Sequence, residues 1–333
     1  MKKKGTALIK AAVFFVLICC VYIILKSVLA DHKAPEFNVI DDMIKMDVKT
    51  LTENEAALLS GLSAYDDKDG DLTDHILVER ITKKENGAEN EFIVSYAVFD
   101  SASNSTRLER SLILNDYEPP KFVCSKALVF AEDTEINLRN QIIVEDVIDG
   151  RVTSGIAYDI PASFVSGDTE PGSYDCSAAF RNSLGDLVSF EFNVEIIGGL
   201  QAEREYLPKI SLTDYVVYLN AGEEFNPGNY LLSIWDNSAF YRIDHGPLYY
   251  LNTAAGKYEA VSDAWIASTG IDIKALATEK VVQQISGNWI NEKAVGFSSD
   301  IDISVPGSYR GEYTYYSPAT DHTASAIIYI FVR

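Results

Sequence analysis

Residues 90–114 and 172–196 of this chain follow one pattern, and residues 305–332 follow a divergent version of it. Each stretch contains a run of alternating apolar and polar residues, a short polar turn and a second alternating run. Alternation with a period of two places successive side chains on opposite faces of a strand, so each stretch is predicted to form a β-hairpin. Three such hairpins favour a fold built mainly from β-sheets.

An acidic turn precedes each of the first two hairpins, DDKDGD at 66–71 and DVIDGR at 146–151. Asp66 and Asp146 are 80 residues apart, and Phe99 and Phe180 are 81 apart. A period near 80 is too long for a solenoid repeat and suits whole β-sandwich domains in series. The predicted domains come after a stub and apolar segment at 1–30 and cover 36–117, 118–198 and 205–333, the third with an insert at 237–303.

Residues 1–30 combine a basic start with an apolar run that is typical of export. Fifteen uninterrupted apolar residues, Ala11–Leu25, lie between Lys10 and Lys26. If both lysines reach toward opposite headgroups, the usable span grows to about 24 residues, which suffices for a hydrocarbon core of ~30 Å. This pattern predicts a transmembrane signal anchor with the N-terminus in the cytoplasm and the following domains outside.

A cleaved secretory signal is the alternative, with Val28-Leu29-Ala30 as the cleavage site before Asp31. The anchor is favoured because Lys26 lies between the apolar run and that site. Both interpretations place the body of the protein outside the cytoplasm.

The exported part of the chain is strongly acidic. Residues 1–30 hold five lysines and no acidic residue, which leaves 23 basic and 49 acidic residues and a formal net charge of −26. Such a surface repels nucleic acid and anionic lipid and is compatible with cations or neutral glycans. The composition therefore excludes nucleic acid as a partner.

The acidic turn and the tetrapeptide PGSY, present at Pro171–Tyr174 and Pro306–Tyr309, resemble features of the tandem bacterial immunoglobulin-like domains of Gram-positive surface proteins. These are relatives of the hyalin-repeat and pesticidal-crystal-protein modules, with an Asp-x-x-Asp-Gly-Asp-Leu/Val-Thr corner and a strand that ends in aspartate. Residues 66–73 match the corner, and 93–100 match the strand. The resemblance implies tandem immunoglobulin-like β-sandwiches, an all-β fold behind the N-terminal transmembrane helix.

The second copy departs from the family pattern at Val147 and Arg151, and Arg181 stands where the hairpin aspartate is expected. The resemblance covers most of residues 36–236 and 305–333. It implies the fold and no particular activity, because such modules serve as spacers, adhesins and accessory domains.

The acidic turn of the first copy is a candidate calcium site, since Ca²⁺ prefers several oxygen ligands from a tight turn. The alternative is a β-corner in which aspartates cap backbone N–H groups. No other cofactor is expected. The candidate ligands are Asp66, Asp67, Asp69, Asp71 and Asp100.

Aromatic residues concentrate in the last section of the chain, which holds Trp235, Trp265 and Trp289. Exposed rings suit the apolar faces of sugars, so the three tryptophans are a candidate ligand surface, and core packing is the alternative. Cys124 and Cys176 lie in the second copy and are a candidate disulfide in an oxidising compartment. Two reduced core thiols are the alternative.

Catalytic motifs are missing: the chain has no Gly-x-Ser-x-Gly, no His-Glu-x-x-His, no P-loop and no Rossmann fingerprint. We therefore expect a non-enzymatic, membrane-anchored binding or spacer protein of a Gram-positive-type cell surface, whose third domain faces a protein or an envelope glycan. One alternative is a structural or accessory subunit of an envelope assembly for secretion or polysaccharide export. Another is a cell-wall hydrolase with a carboxylate pair in Asn237–Ile303.

Overall fold

The computed structural model describes residues 13–21, 31–167, 169–252, 254–270 and 288–333. These residues form mostly β-strands, which confirms the predicted all-β class. The chain divides into two compact units: unit 1 is Met1–Pro119 with Asn182–Asp186, and unit 2 is Pro120–Arg181 with Leu187–Arg333.

The strands are β1 (Glu36–Val39), β2 (Met43–Met46), β3 (Leu62–Asp66), β4 (Gly70–Asp71), β5 (Leu77–Lys83), β6 (Glu91–Phe99), β7 (Ser105–Leu114), β8 (Lys121–Cys124), β9 (Val129–Ala131), β10 (Ile142–Asp146), β11 (Gly150–Val152), β12 (Ala157–Asp159), β13 (Gly172–Arg181), β14 (Leu187–Ile197), β15 (Lys209–Leu212), β16 (Val216–Leu219), β17 (Leu231–Asp236), β18 (Ala239–Asp244), β19 (Tyr249–Asn252), β20 (Lys257–Ala260), β21 (Trp289–Asn291), β22 (Val295–Ser299), β23 (Gly307–Ser317) and β24 (His322–Val332). The α-helices of the described residues are α1 (13–21), α2 (Val48–Glu53), α3 (Ser163–Ser166), α4 (Gln201–Arg204) and α5 (Asp263–Thr269).

Unit 1 contains one sandwich, with sheets in the order β1-β3-β4 and β2-β7-β6-β5. The predicted hairpin is present as β6 and β7, and its alternating residues Phe92, Val94, Tyr96 and Val98 are fully buried. The short strand β2 pairs in parallel with the end of β7. The core of the first sandwich is thus formed by the apolar side chains that the alternating pattern places on one face of the strand.

The connections between β1 and β3, which include α2, are held by two polar side chains of this hairpin. Tyr96 donates its hydroxyl proton to the carbonyl of Leu58 at 2.8 Å. Arg110 is only 4% exposed and donates to the carbonyls of Asp41 and Ser60 at 2.8 and 2.9 Å. A buried guanidinium is tolerated because backbone carbonyl oxygens accept hydrogen bonds from its N–H groups.

Unit 2 contains two sandwiches. The second sandwich has sheets β11-β10-β8 and β12-β13-β14-β9, and the third has β15-β17-β18-β21 and β16-β24-β23-β22. In each, a short strand pairs in parallel with the last strand of the hairpin, β9 with β14 and β16 with β24. This parallel pair repeats the β2–β7 pair of the first sandwich. Residues 237–303 supply β18, β21 and β22 to the third sandwich and also form the hairpin β19–β20.

The buried side chains of the second and third sandwiches form one continuous cluster. Two tyrosine hydroxyls connect the sandwiches: Tyr218 accepts from the N–H of Phe122, and Tyr329 from the N–H of Asn193, both at 2.7 Å. Burial raises the pKa of both tyrosines to about 12. Each hydroxyl accepts a hydrogen bond from a buried backbone N–H, and burying that N–H without a partner would cost free energy.

Of the predicted signal anchor, residues 13–21 are helical, with the apolar side chains of Val13, Phe14 and Phe15 exposed. The remainder of residues 1–30 lies outside the described residues. Within the described ranges, no helix has both the length and the apolar character that a membrane crossing requires.

Candidate functional site

The acidic turn of the first sandwich joins β3 to β4. Asp66 ends β3, and one of its oxygens, Oδ1, accepts the backbone N–H groups of Lys68 and Asp69 at 2.8 and 3.0 Å. Gly70 follows with φ +77°, a conformation that glycine adopts without steric cost. The amides of Asp69 and Lys68 lower the pKa of Asp66 because they favour the charged carboxylate. The Oδ1 atom of Asp66 therefore caps backbone N–H groups, as the β-corner alternative predicts.

Three of the predicted calcium ligands are turned to other partners. Asp67 forms an ion pair with Lys33, Asp69 accepts the N–H of Ser101, and Asp71 accepts the N–H of Thr73, at 2.8, 2.9 and 2.9 Å respectively.

Asp66 and Asp100 come together, and the structure adds Asp31 to them. One carboxylate oxygen from each lies within 4.8 Å of the others. Asp66 and Asp100 are buried at 2% and 7% exposure. The sequence offered no signal for Asp31, since it is a single aspartate that follows the apolar segment and precedes β1 by several residues.

Two of the three tryptophans lie on one face of the sheet β15-β17-β18-β21. Trp235 pairs with Phe240, and Arg242 pairs with Trp289, across neighbouring strands. Cross-strand partners share a face, so these four residues form a patch that we name the aromatic face. Trp235 and Phe240 are 37% and 51% exposed, and the guanidinium of Arg242 lies 5.9 Å from the ring of Trp289.

Trp265 does not belong to the aromatic face. It lies in α5, whose N-terminus is capped by the Ser262 hydroxyl, and it stacks on Tyr250 with ring centres 4.3 Å apart. It packs against the core of unit 2 and is half-buried. Of the three tryptophans predicted to form a ligand surface, Trp235 and Trp289 share this face and Trp265 does not.

A groove of about 920 Å³ lies in unit 2 where the second and third sandwiches meet. On the second sandwich, Asp159, Ser177 and Glu191 are register partners across three strands, with Asp175 and Asn193 as the next row. The groove is lined by Asp159, Ile160, Pro161, Asp175, Cys176, Ser177, Ser189, Glu191, Phe192, Asn193, Asp300, Ser308, Tyr309, Arg310, Tyr329 and Phe331.

The groove combines acidic groups, hydroxyls and ring surfaces. On the third sandwich, Arg310 pairs with Tyr329 and Ser308 pairs with Phe331, so these residues also share a face. The side-chain amide of Asn193 donates to Asp175 at 2.5 Å. The lining holds four carboxylates and one guanidinium, together with hydroxyls that can donate and accept. Such a surface can form many hydrogen bonds with a polyhydroxylated ligand.

Cys124 and Cys176 are separate buried thiols, so the predicted disulfide between them is wrong for this structure. Cys124 lies on β8 in one sheet and Cys176 on β13 in the opposite sheet, and each thiol is directed to a nearby carbonyl, that of Lys126 at 3.0 Å and that of Tyr174 at 3.7 Å. Burial raises the pKa of both thiols to about 11, so they are protonated and unreactive at neutral pH.

No protein-family model matches the chain, and no curated protein is significantly similar to it. Among solved structures, the chain is similar to the CBM51-2 and INT domains of Clostridium perfringens ZmpB bound to GlcNAc, with 12% identity, 44% of this chain and 29% of that chain covered, and a TM-score of 0.19. It is also similar to the EC1-3 domains of Drosophila N-cadherin, with 12% identity, 87% and 97% coverage, and a TM-score of 0.28.

The EC22-24 domains of mouse cadherin-23 show 10% identity, 90% and 99% coverage, and a TM-score of 0.19. The chain spans less than a third of the two ZmpB chains that it matches, 29% and 30% of their lengths. At these identities and TM-scores, the similarities assign neither a family nor a function.

Proposed function

We propose that this chain is an extracytoplasmic, non-catalytic binding protein, held at the membrane by its N-terminal apolar segment, that binds an envelope glycan in the groove of unit 2. The observation that carries this proposal is the groove itself, a concave surface of about 920 Å³ in which carboxylates, hydroxyls and rings converge. Its size is within the range of roughly 300–1,000 Å³ that is common for ligand sites.

The chemistry of the lining favours a sugar over an apolar ligand. Sugar hydroxyls donate to carboxylates such as Glu191 and Asp159, and they accept from donors such as the Arg310 guanidinium and the serine hydroxyls. The half-buried rings of Tyr309 and Phe331 offer apolar surface to the C–H faces of a sugar ring. Four carboxylates against one guanidinium disfavour a phosphate-rich polymer.

The test is calorimetric titration of the full-length chain in detergent with soluble peptidoglycan fragments and with neutral oligosaccharides. Glu191→Gln and Arg310→Ala should each weaken binding at least ~10-fold, or about 1.4 kcal/mol, as expected for the loss of a hydrogen bond to a charged group. Glu145→Gln is the matched control, because Glu145 is an exposed strand carboxylate outside the groove. Equal binding by all three variants, or no binding by the parent chain, would reject the proposal.

The same titration addresses the hydrolase alternative. Asp300 belongs to both the groove and the segment 237–303, where the hydrolase alternative places a catalytic carboxylate pair. A binding protein leaves the oligosaccharide intact, whereas a hydrolase releases new reducing ends with time. If the parent chain hydrolyses the oligosaccharide and Asp300→Asn does not, the function of the groove is catalysis and not binding.

A protein partner is the second candidate, and the aromatic face favours it. Exposed apolar rings on a sheet, with an arginine beside them, are typical of protein-contact surfaces. Trp235→Ala together with Phe240→Ala should then release a stoichiometric membrane partner in pull-downs from detergent extracts. Phe99→Ala is a matched control, since Phe99 is an exposed ring, 43% accessible, in unit 1.

A further inference from the structure

The carboxylates of Asp31, Asp66 and Asp100 converge from three separate parts of unit 1. Asp31 precedes β1, Asp66 ends β3, and Asp100 follows β6. One oxygen from each lies within 4.8 Å of the other two. Three negative charges at this distance repel one another, and the repulsion is larger where burial removes water.

The second observation is an oxygen without a partner. Asp66 is only 2% exposed, and its Oδ2 has no hydrogen-bond partner among the described residues. Its Oδ1 is already taken by the amides of the acidic turn, so Oδ2 is the oxygen that remains for the cluster. A buried, charged acceptor without a donor is costly, and a bound cation removes that cost.

Two lysines and one asparagine lie near the cluster. Lys68 reaches Asp31 at 4.0 Å, the limit of an ion pair, and Lys33 is engaged by Asp67 at 2.8 Å. Asp100 receives both the backbone and side-chain N–H groups of Asn104, at 2.7 and 2.6 Å. These donors orient Asp100 and leave lone pairs on its oxygens for a metal.

We propose that Asp31, Asp66 and Asp100 bind one Ca²⁺ ion. Carboxylate oxygens from non-adjacent segments suit calcium, which accepts six to eight oxygen ligands in flexible geometry. Magnesium requires near-ideal octahedral geometry and retains several waters. The site differs from the cluster expected from the acidic turn alone, because Asp67, Asp69 and Asp71 do not contribute and Asp31 does.

Calcium at this position fixes the segment that enters the first sandwich. The side-chain amide of Asn104 donates to the carbonyls of Asp31 and Lys33 at 3.2 and 3.3 Å, and the Thr106 hydroxyl donates to the carbonyl of Pro35 at 2.5 Å. Asn104 also donates to Asp100, so the same side chain contacts both the entering segment and a carboxylate of the cluster. The ion therefore connects the end of the N-terminal segment to the β6–β7 turn, a role independent of glycan binding in unit 2.

The experiment is calorimetric titration of the full-length, chelator-treated chain with CaCl₂ at neutral pH. The parent chain should bind one Ca²⁺ with a dissociation constant of roughly 0.1–1 mM, as in extracellular modules. Asp100→Asn and Asp31→Asn should each weaken binding at least ~10-fold, since each removes a charged ligand. Asp67→Asn should stay within ~2-fold of the parent chain, because its carboxylate is outside the site.

Asp31→Asn also guards against misfolding, because the Asp31 side chain makes only local contacts, with the N–H of Lys33 at 3.1 Å and with Lys68 at 4.0 Å. Without calcium this variant should be at least as stable to heat as the parent chain, because the amide removes one of three repelling charges. Calcium should raise the melting temperature of the parent chain more than that of the variant. Failure of the parent chain to bind at 10 mM CaCl₂ would overturn the proposal, as would equal affinity for Mg²⁺. Binding unchanged in both Asn variants would do the same.

Discussion

The first and third sandwiches place a buried aspartate at the same point, the end of the strand that precedes the corner turn. In the first, Asp66 uses one oxygen for the turn amides and leaves the other without a donor. In the third, Asp236 accepts from the hydroxyls of Tyr315 and Ser317 at 3.0 and 2.6 Å, so both of its oxygens are satisfied. The aspartate at this position is therefore fully hydrogen-bonded in the third sandwich and only partly hydrogen-bonded in the first.

The difference begins in the turn that follows the strand. Asp66 is followed by three residues before Gly70, so the chain folds back over the carboxylate with its amides directed inward. Asp236 is followed by the two-residue turn Asn237-Ser238, with φ of 45° and 60°, typical of a type I′ hairpin. A short turn has no amide to offer the carboxylate, and hydroxyls from β23 take that role.

The second sandwich resembles the first at this point. Asp146 accepts the N–H groups of Ile148 and Asp149 at 2.8 and 2.7 Å, as Asp66 does in its own turn. The capping role is thus common to both acidic turns. The unpartnered oxygen and the two neighbouring carboxylates distinguish Asp66, which is why we propose calcium only in the first sandwich.

The largest effect is expected from Asp236→Leu. This change leaves the Tyr315 and Ser317 hydroxyls buried, at 3% and 0% exposure, without their acceptor. We expect a loss of about 3 kcal/mol in the free energy of unfolding, measured by urea denaturation of the full-length chain. Asp236→Asn is the control and should lose less, because its carbonyl oxygen still accepts one hydroxyl. Full stability of Asp236→Leu would show that the hydroxyl network is dispensable.

The sequence predicts the three closing hairpins well because they are long and alternate strictly. β6–β7, β13–β14 and β23–β24 each pair over nine or more residues. It does not predict that the short strands β2, β9 and β16 pair in parallel with the last strand of each hairpin. The partner of such a strand lies far away in the sequence, and alternation within three or four residues does not identify it.

Sequence identity also misaligned the first two hairpins by one residue. Matching Phe99 to Phe180 aligns Asp100 with Arg181, yet Phe99 is 43% exposed and Phe180 is 5% exposed. The turn bonds instead align Asp100 with Asn182. Each of these two side chains accepts the backbone N–H four residues later, at 2.7 and 2.9 Å. A shift of one residue reverses the face of every side chain, so the match by residue type was wrong.

The candidate sites were predictable only in part, since they depend on distance in space. Asp66 and Asp100 were predicted from the corner and the hairpin, and the structure brings them together. Asp31 lies outside both motifs. The groove is formed by side chains of β12, β13, β14, β23 and β24, whose register partners cannot be identified before the sheets are known.

An intermediate effect is expected on acidification. The pKa of Asp66 is lowered in the folded chain, so the unfolded chain binds the proton more tightly. The stability that Asp66 contributes is therefore complete above its unfolded pKa of about 4 and is lost as the pH falls through the lower folded-state value. Urea unfolding between pH 7 and pH 3, with chelator present, should show a shallower pH dependence in Asp66→Asn than in the parent chain. Identical pH profiles would mean that the turn amides do not favour the charged form.

The smallest effect is expected from Asp67→Asn, which isolates the ion pair from the carboxylate cluster beside it. Lys33 and Asp67 are in contact at 2.8 Å, but their side chains are 56% and 65% exposed. The carboxylate of Asp67 raises the pKa of Lys33 through a hydrogen bond and its charge. Exposed pairs of this kind contribute little to the free energy of unfolding, and salt weakens them further.

Urea unfolding of Asp67→Asn at low and high salt, both with chelator, measures this contribution. A large loss of stability that persists at high salt would be unlike an exposed ion pair and would mean that Lys33 fixes the entering segment. In that case Asn104, which donates to the carbonyls of Asp31 and Lys33, would be secondary. A small loss instead leaves the Asn104 bonds and the three carboxylates as the connection between the N-terminal segment and the first sandwich. The corner would then differ from that of the third sandwich through its buried groups and not through its surface charge.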